Sequence, residues 1–491
     1  MKIIMLDLDA LRPDHLGCYG YHRQTSPNID KIAEKGVRFE NYYTSDAPCL
    51  PSRTALMSGR FGIKNGVVGH GGTAATLKNE GASRDFNDQL ATDSIPGMLR
   101  GAGYKTALIS PFPQRHSAWH FTAGFNEVYD VGGKNGWESA EDVTPTVVDW
   151  LTRNKDAENW FLYVNYWDVH KPHRTPAGFA NPFEEEPIPD WITEDVLEIH
   201  KKKVGPQSVH ELDMYHGDYI DVFPKFQPHI KNMAQLKMVI DGYDTSIRYL
   251  DEHIGILRQT VADLGIDEEV AFIITSDHGE NLGELGIYVE HATADHVTCR
   301  VPMIICWPGM GENRVDTGLH YALDLAPTLA QLLNQKKRAG WDGRSYLSAL
   351  TDGIDVGREF VVVSQCAHVV QRSVRFGDWF YIRTYHDGFH LFEKEMLFNL
   401  ADDPHEQVNL ASVRKDICAQ AVYYLSEWHD EMMLTSFDGI DPLWTVMKEG
   451  GPYHTWGKLE DYLPRLEATG RGYGIDELKR RHPLAFGKNK W

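Results

Sequence analysis

Apolar runs that close on acids constrain the fold of this chain more than any other feature. Lys2 to Leu8 leads to Asp9, Trp160 to Tyr166 leads to Asp168, and Glu269 to Thr275 leads to Ser276-Asp277-His278-Gly279-Glu280. Short apolar runs bounded this way read as parallel strands buried on both faces, delivering carboxylates at their carboxyl ends. Between them lie helical patterns. Ser94 to Arg100 starts a helix before a strand at Tyr104 to Ser110, and Val143 to Leu151 is helical. Ile247, Leu250, Ile254, Leu257, Val261 and Leu264 recur at spacings of three and four, one face of an amphipathic helix. An Asp-His pair directly after a buried strand and before a glycine is a metal-site pattern, and Asp277-His278 has that form. From about Cys366 the texture changes to alternating antiparallel strands. The expected fold class is therefore α/β, with a catalytic domain over 1–365 and an α+β subdomain and tail over 366–491.

Composition narrows the function classes. A chain of 491 residues with 42% hydrophobic and 24% charged residues buries a large core and is soluble and globular. A formal charge of −21 excludes a nucleic-acid footprint, which is basic, and requires an anionic substrate to be attracted locally. The six cysteines are scattered, so they form no disulfide framework and read as reduced thiols. The opening Met1 to Asp9 has no signal-peptide pattern and no later run approaches a membrane span, so the expectation is a cytoplasmic protein.

The chemistry centres on Ser45 to Arg60. Cys49 is followed by Pro51, set for the first turn of a helix, then Ser52 and Arg53. An arginine one turn along brings a fixed cationic fork beside the cysteine, near the positive end of the helix dipole, and such a pocket suits an anion. This stretch resembles the sulfatase signature C-x-P-S-R-x-x-L-x-x-G at Cys49, Pro51, Ser52, Arg53, Leu56 and Gly59. Other strings agree. Asp9 with Leu11 to Gly20 is similar to the sulfatase opening. Arg300 to Gly309, Asp324 to Leu329 and Leu397 to Leu410 are similar to later family strings.

The resemblance is to the formylglycine-dependent type I sulfatases of the alkaline phosphatase superfamily. It implies a mixed sheet sandwiched by helices, with a small C-terminal antiparallel sheet-and-helix subdomain. It also implies that a dedicated generating enzyme oxidises Cys49 to formylglycine, and that Asp9, Cys49, Asp277 and His278 hold one divalent cation. Oxygen-rich ligands favour Ca²⁺, with Mn²⁺ or Mg²⁺ as alternatives. One hydroxyl of the hydrated aldehyde would attack sulfur while Arg53 offsets charge, and the other would expel sulfate. His170 in H-x-P would protonate the leaving alcohol, with His173 the runner-up. The expected substrate is a sulfated carbohydrate or another small organic sulfate.

Several positions depart from the pattern. Ala10 stands where many members have a second aspartate; Asp7 could substitute, though a hydrogen-bonded strand end is its simpler reading. The family's lysine-histidine element is replaced by Ser110-Pro111-Phe112-Pro113, leaving Arg115 and His116 for the cationic role. Counting back from Arg300, His291 occupies a substrate-binding lysine position. His70, in a glycine-rich loop, either touches substrate or stays an exposed loop residue. Residues 174–232 and Ser436 to Trp491 match no family string; His210, Asp213 and His216 could bind metal but read better as a solvated face. The rivals are a phosphonate monoester hydrolase or phosphodiesterase on this scaffold, and a non-catalytic binding protein with Cys49 unmodified.

Overall fold

The structure, a computed structural model, describes residues 1–78, 89–134, 136–214, 223 and 226–486. Its central strand β1, Lys2–Leu8, runs parallel to Trp160–Tyr166 on one side and Val270–Thr275 on the other. Lys105–Ile109 and Glu127–Tyr129 extend the parallel half, while Met303–Cys306, Val37–Tyr43 and Arg314–Tyr321 complete the sheet through antiparallel pairings of Met303–Cys306. This eight-stranded mixed sheet has helices on both faces.

Strand alternation divides the interior into two cores. Ile3 and Met5 face one layer with Phe161, Tyr163, Ala271 and Ile273; Ile4, Leu6 and Leu8 face the other with Leu162, Val164 and Ile274. The first layer is covered by the helices Cys49–Ser58, Ile95–Gly101 and Leu325–Leu332. The second is covered by Ala140–Asn154 and Met233–Asp263, the latter through Ile247, Leu250, Ile254, Leu257 and Val261. Asp7 therefore points to the side of the sheet on which the Cys49 helix lies, and Asp9 stands just past the strand end on that register.

A second sheet of five strands joins Phe360–Gln365, Val370–Phe376, Trp379–His386 and Glu395–Asn399 as antiparallel neighbours. Asp46–Ala47, just before Cys49, adds to Phe360–Gln365 in parallel. The helix Lys415–Leu434 packs on this sheet through Cys418, Ala421, Leu425 and Trp428. The two segments without family strings pack on each other. Tyr462, Leu466 and Leu478 of the tail share a core with Val204, Arg471 pairs with Glu211, and Arg465 lies 2.8 Å from Asp213. His210 bonds the Lys201 carbonyl and His216 lies outside the described residues. Among the described residues, no helix is long and apolar enough to cross a membrane.

Candidate active site

Each residue of the Cys49 stretch has a separate physical task. The Ser52 hydroxyl donates to the Asp277 carbonyl at 2.7 Å and accepts from Thr44 Oγ1 at 2.7 Å, which ties the helix start to the end of Val270–Thr275. Gly59 closes the helix at φ 67°, and a Cβ there would meet the Trp341 ring at 2.6 Å. Arg53, one turn after Cys49, turns down onto the sheet. Its Nε lies 2.7 Å from Asp7 Oδ2, Nη2 2.9 Å from Asp9 Oδ2 and Nη1 2.7 Å from Asp277 Oδ2, all fully buried. Asp7 is thus a hydrogen-bonded strand-end residue, shared by Arg53 and the Tyr163 hydroxyl.

Beyond Arg53, Asp9, Cys49, Asp277 and His278 converge with ligand atoms within 4.8 Å of one another. His278 Nδ1 donates to the Gly279 carbonyl at 2.8 Å, so Nε2 presents its lone pair 3.1 Å from Cys49 Sγ and 3.3 Å from Asp277 Oδ2. Beyond their ion pairs with Arg53, both oxygens of Asp9 and Oδ2 of Asp277 are buried with no hydrogen-bond partner among the described residues. The carboxylates of Asp7, Asp9 and Asp277 outnumber the single guanidinium by two charges. This donor set and charge fit one divalent cation. Burial, then the Asp277 charge, raises the Asp9 carboxyl to about 7. Burial also opposes ionisation of Asp277, but Arg53 and His278 outweigh it and hold that carboxyl low. Burial, followed by the charges of Asp9 and Asp277, pushes the Cys49 thiol well up, so the unmodified side chain is a thiol.

Histidines from distant segments ring this centre. His291 lies 4.1 Å from the His278 ring and 5.1 Å from that of His170, and His170 Nδ1 donates to the Lys171 carbonyl at 2.7 Å. Burial, then neighbouring His278 and His170, drives His291 well below the ordinary histidine range. His70 accepts from the Leu50 amide at the helix start and contacts His454 Nε2 at 3.0 Å, so it is a wall of the site. His116 stacks on Trp167 and faces His70 at 5.0 Å, while the Arg115 guanidinium lies over the same tryptophan. His173 instead turns to Glu280, 3.1 Å away, against Tyr243.

A family model described as Sulfatase matches residues 2–335. The chain belongs to the sulfatase family. As a sulfuric ester hydrolase it is 25% identical over 501 aligned residues to the choline-sulfatase of Rhizobium meliloti strain 1021, covering 91% of this chain and 90% of that one. Among solved structures it is similar to a protein in complex with its substrate D-glucosamine-2-N,6-O-disulfate (TM-score 0.69, 18% identity, 88% of this chain and 98% of that one). It is also similar to the phosphonate monoester hydrolase of Agrobacterium radiobacter (TM-score 0.63, 17% identity, 87% and 94% covered). The architecture is the alkaline phosphatase-like α/β sandwich of these neighbours.

In this sulfatase Ala10 offers no side-chain ligand, and its backbone supports Asp277 instead. Ala10 takes φ 60°, and its amide donates to Asp277 Oδ1 at 3.3 Å. Sequence reasoning missed Lys171, Glu290, His368 and His454. His368 comes from the turn after Phe360–Gln365 and stacks 4.1 Å from His454, which the tail delivers. Tail residues also clamp the glycine loop beside His70: Glu449 bonds Thr73, and Tyr453 leaves no room for a Cβ at Gly71. Nothing in the tail marked His454; the adjoining Lys171 and Glu290 flank His170 and His291 and were the readable signal.

Proposed function

We propose that the chain hydrolyses a sulfate ester with residue 49 as nucleophile, after oxidation of Cys49 to formylglycine by a generating enzyme. One divalent cation would be held by Asp9, Asp277, His278 and residue 49. The observation that carries this reading is the place of Cys49, with Sγ 3.1 Å from His278 Nε2 inside the four-residue ligand group. Hydrated formylglycine supplies one hydroxyl to attack sulfur and another whose collapse to aldehyde expels sulfate. The cation, when bound, supplies charge neutralisation and acidifies that hydroxyl. Oxygen donors favour Ca²⁺; His278 gives Mn²⁺ standing as well, with Mg²⁺ third.

The protein's own groups do the remainder. Arg53 locks the carboxylates and keeps one positive charge under the nucleophile. His170 has Nδ1 committed to a carbonyl and burial holds it well below the ordinary histidine range, so Nε2 carries a lone pair and passes a proton to the departing alcohol only after taking one up. His291 faces the sulfate oxygens where relatives of this family use lysine. His70, His116 and Arg115 line the helix-start side, where anion charge is favoured. His173, bonded to Glu280, is a poorer proton donor than His170 in this geometry. Free thiols at all six cysteines support a reducing compartment, in line with a cytoplasmic enzyme.

A second reading, phosphonate monoester hydrolysis, draws on the fold shared with the Agrobacterium enzyme and on Ala10 in place of a second carboxylate. Two measurements separate the readings. Mass spectrometry of the tryptic peptide ending at Arg53 is expected to show residue 49 as an aldehyde, its sulfur replaced by oxygen and two hydrogens lost. An intact thiol from a host that makes formylglycine supports the binding-protein alternative instead. Aryl sulfate is expected to be turned over with higher kcat/KM than the matching phenyl phosphonate; the reverse order assigns the phosphonate activity.

A further inference from the structure

We propose that Lys171, Glu290 and His368 form a hydroxyl-binding subsite for the alcohol half of the ester, so that the substrate is a sulfated saccharide. This rests on the sulfate-ester reading. Glu290 Oε1 lies 3.4 Å from His291 Nδ1 and 3.9 Å from His368 Nε2, while its Oε2 lies 3.7 Å from Lys171 Nζ. Lys171, Glu290 and His368 are 1%, 2% and 7% exposed. Lys171 Nζ, Glu290 Oε2 and His368 Nε2 nevertheless have no hydrogen-bond partner among the described residues. Buried polar atoms in this state cost free energy unless a ligand hydroxyl, or an ordered water that such a hydroxyl displaces, completes them.

The position of these atoms ties them to the leaving group. Lys171 follows His170 and Glu290 precedes His291, and the rings of those histidines are 5.1 Å apart. The ester oxygen must sit at His170 to be protonated, so the carbons attached to it come beside Lys171 and Glu290. At 3.7 Å apart they can share one oxygen atom that lies to the side of the line joining them. A hydroxyl there takes a hydrogen bond from the ammonium and gives one to the carboxylate, about 2.8 Å on each side. A second sulfate has no proton to give Glu290, and an aryl or quaternary ammonium group has no hydroxyl at all. A polyol satisfies both partners. His368 is held for a further hydroxyl by His454 stacked on it at 4.1 Å, itself bonded to His70 at 3.0 Å. Phe226, whose ring centre lies 5.8 Å from Lys171 Nζ, also lines a neighbouring cavity of about 280 Å³ with Pro172, His173, Thr175 and Val289. That volume is close to the lower end of small-molecule sites, about 300 Å³.

The same carboxylate and imidazoles can be read as a second cation site, since Glu290, His291 and His368 place ligand atoms within 4.8 Å. The Lys171 ammonium beside Glu290 opposes that reading.

The test uses the full chain with residue 49 oxidised. Its substrates are glucosamine 2-N-, 3-O- and 6-O-sulfates, deoxy analogues of the best of these at each hydroxyl, and 4-nitrophenyl sulfate. Loss of one hydroxyl is expected to lower wild-type kcat/KM at least about 100-fold. In Glu290→Gln and Lys171→Met the ratio of kcat/KM for the saccharide sulfate to that for the aryl sulfate is expected to fall at least about 10-fold. The deoxy comparison on wild type decides the matter if either variant does not fold. Turnover of aryl sulfate with no saccharide accepted overturns the proposal, as do deoxy analogues as good as their parents or ratios within twofold of wild type. Two metal equivalents in wild type that drop to one in Glu290→Gln also overturn it. Failure on every sulfate ester, aryl included, points instead to failure of the sulfate-ester reading.

Discussion

At the scale of the residue, the site separates the group that reacts from the groups that hold it. Cys49 sits as a buried thiol raised by burial and by the charges of Asp9 and Asp277, a poor nucleophile until converted. Cys49→Ser or Cys49→Ala is expected to lower aryl sulfate turnover at least about 10³-fold with an unchanged melting curve, as removal of a nucleophile does elsewhere; near-full activity would remove residue 49 from its role. His291 loses its charge at a much lower pH than a lysine would. Its pKa is depressed, so it loses its proton as pH rises through a value below the ordinary range. If its proton serves the sulfate, His291→Lys moves the alkaline fall of kcat/KM to higher pH, because lysine keeps its charge further up the scale. A profile of kcat/KM against pH with an unmoved falling edge excludes that role.

At the scale of the element, the Cys49–Ser58 helix is held at both ends, by Ser52 on the Asp277 carbonyl and by Gly59 in a left-handed turn under Trp341. Gly59→Ala demands both a positive φ and space already taken by an indole. It is expected to destabilise the protein by more than about 1 kcal/mol in urea unfolding, and to lower activity as the helix start shifts. Arg53 joins this helix to the ends of the β1 and Val270–Thr275 strands. Arg53→Met leaves buried carboxylates without their partner and is expected to cost about 3–5 kcal/mol, with part of the loss recovered in excess Ca²⁺. Equal stability of this variant and wild type without metal would show that the carboxylates do not depend on Arg53. The tail is an element of the site as well, since its turn Tyr453–Thr455 brings His454 to His70 and His368.

At the scale of the whole molecule, two sheets and an acidic surface surround a centre that itself carries excess negative charge, and a cation links folding to pH. Burial raises Asp9 from 3.8 to about 7, so the metal-free folded protein keeps a proton there that the unfolded chain releases. Between those values metal-free stability falls as pH rises. A cation replaces that proton, so the stabilisation by excess CaCl₂ over EDTA, read as a rise in melting temperature, is expected to be larger above pH 7 than below it; at a hundred times Kd it is about 2.7 kcal/mol. A gain independent of pH would separate Asp9 from the cation. Asp168, also raised to about 7 by burial, serves as the internal control because it is no member of the ligand group. Local pattern was enough for the sequence alone to determine the strands ending in Asp9 and Asp277 and the helix starting at Cys49, because apolar runs and a turn-setting proline act over a few residues; the grouping of Asp9, Cys49, Asp277 and His278 was implied by the sulfatase resemblance, and the structure brings those four together. Only tertiary structure decided that Asp7 belongs to Arg53, that the Ala10 amide donates to Asp277, and that Lys171, Glu290, His368 and His454 meet. Those residues come from segments tens to hundreds of positions apart, and their meeting depends on how two sheets and a tail pack, which no short stretch of sequence encodes.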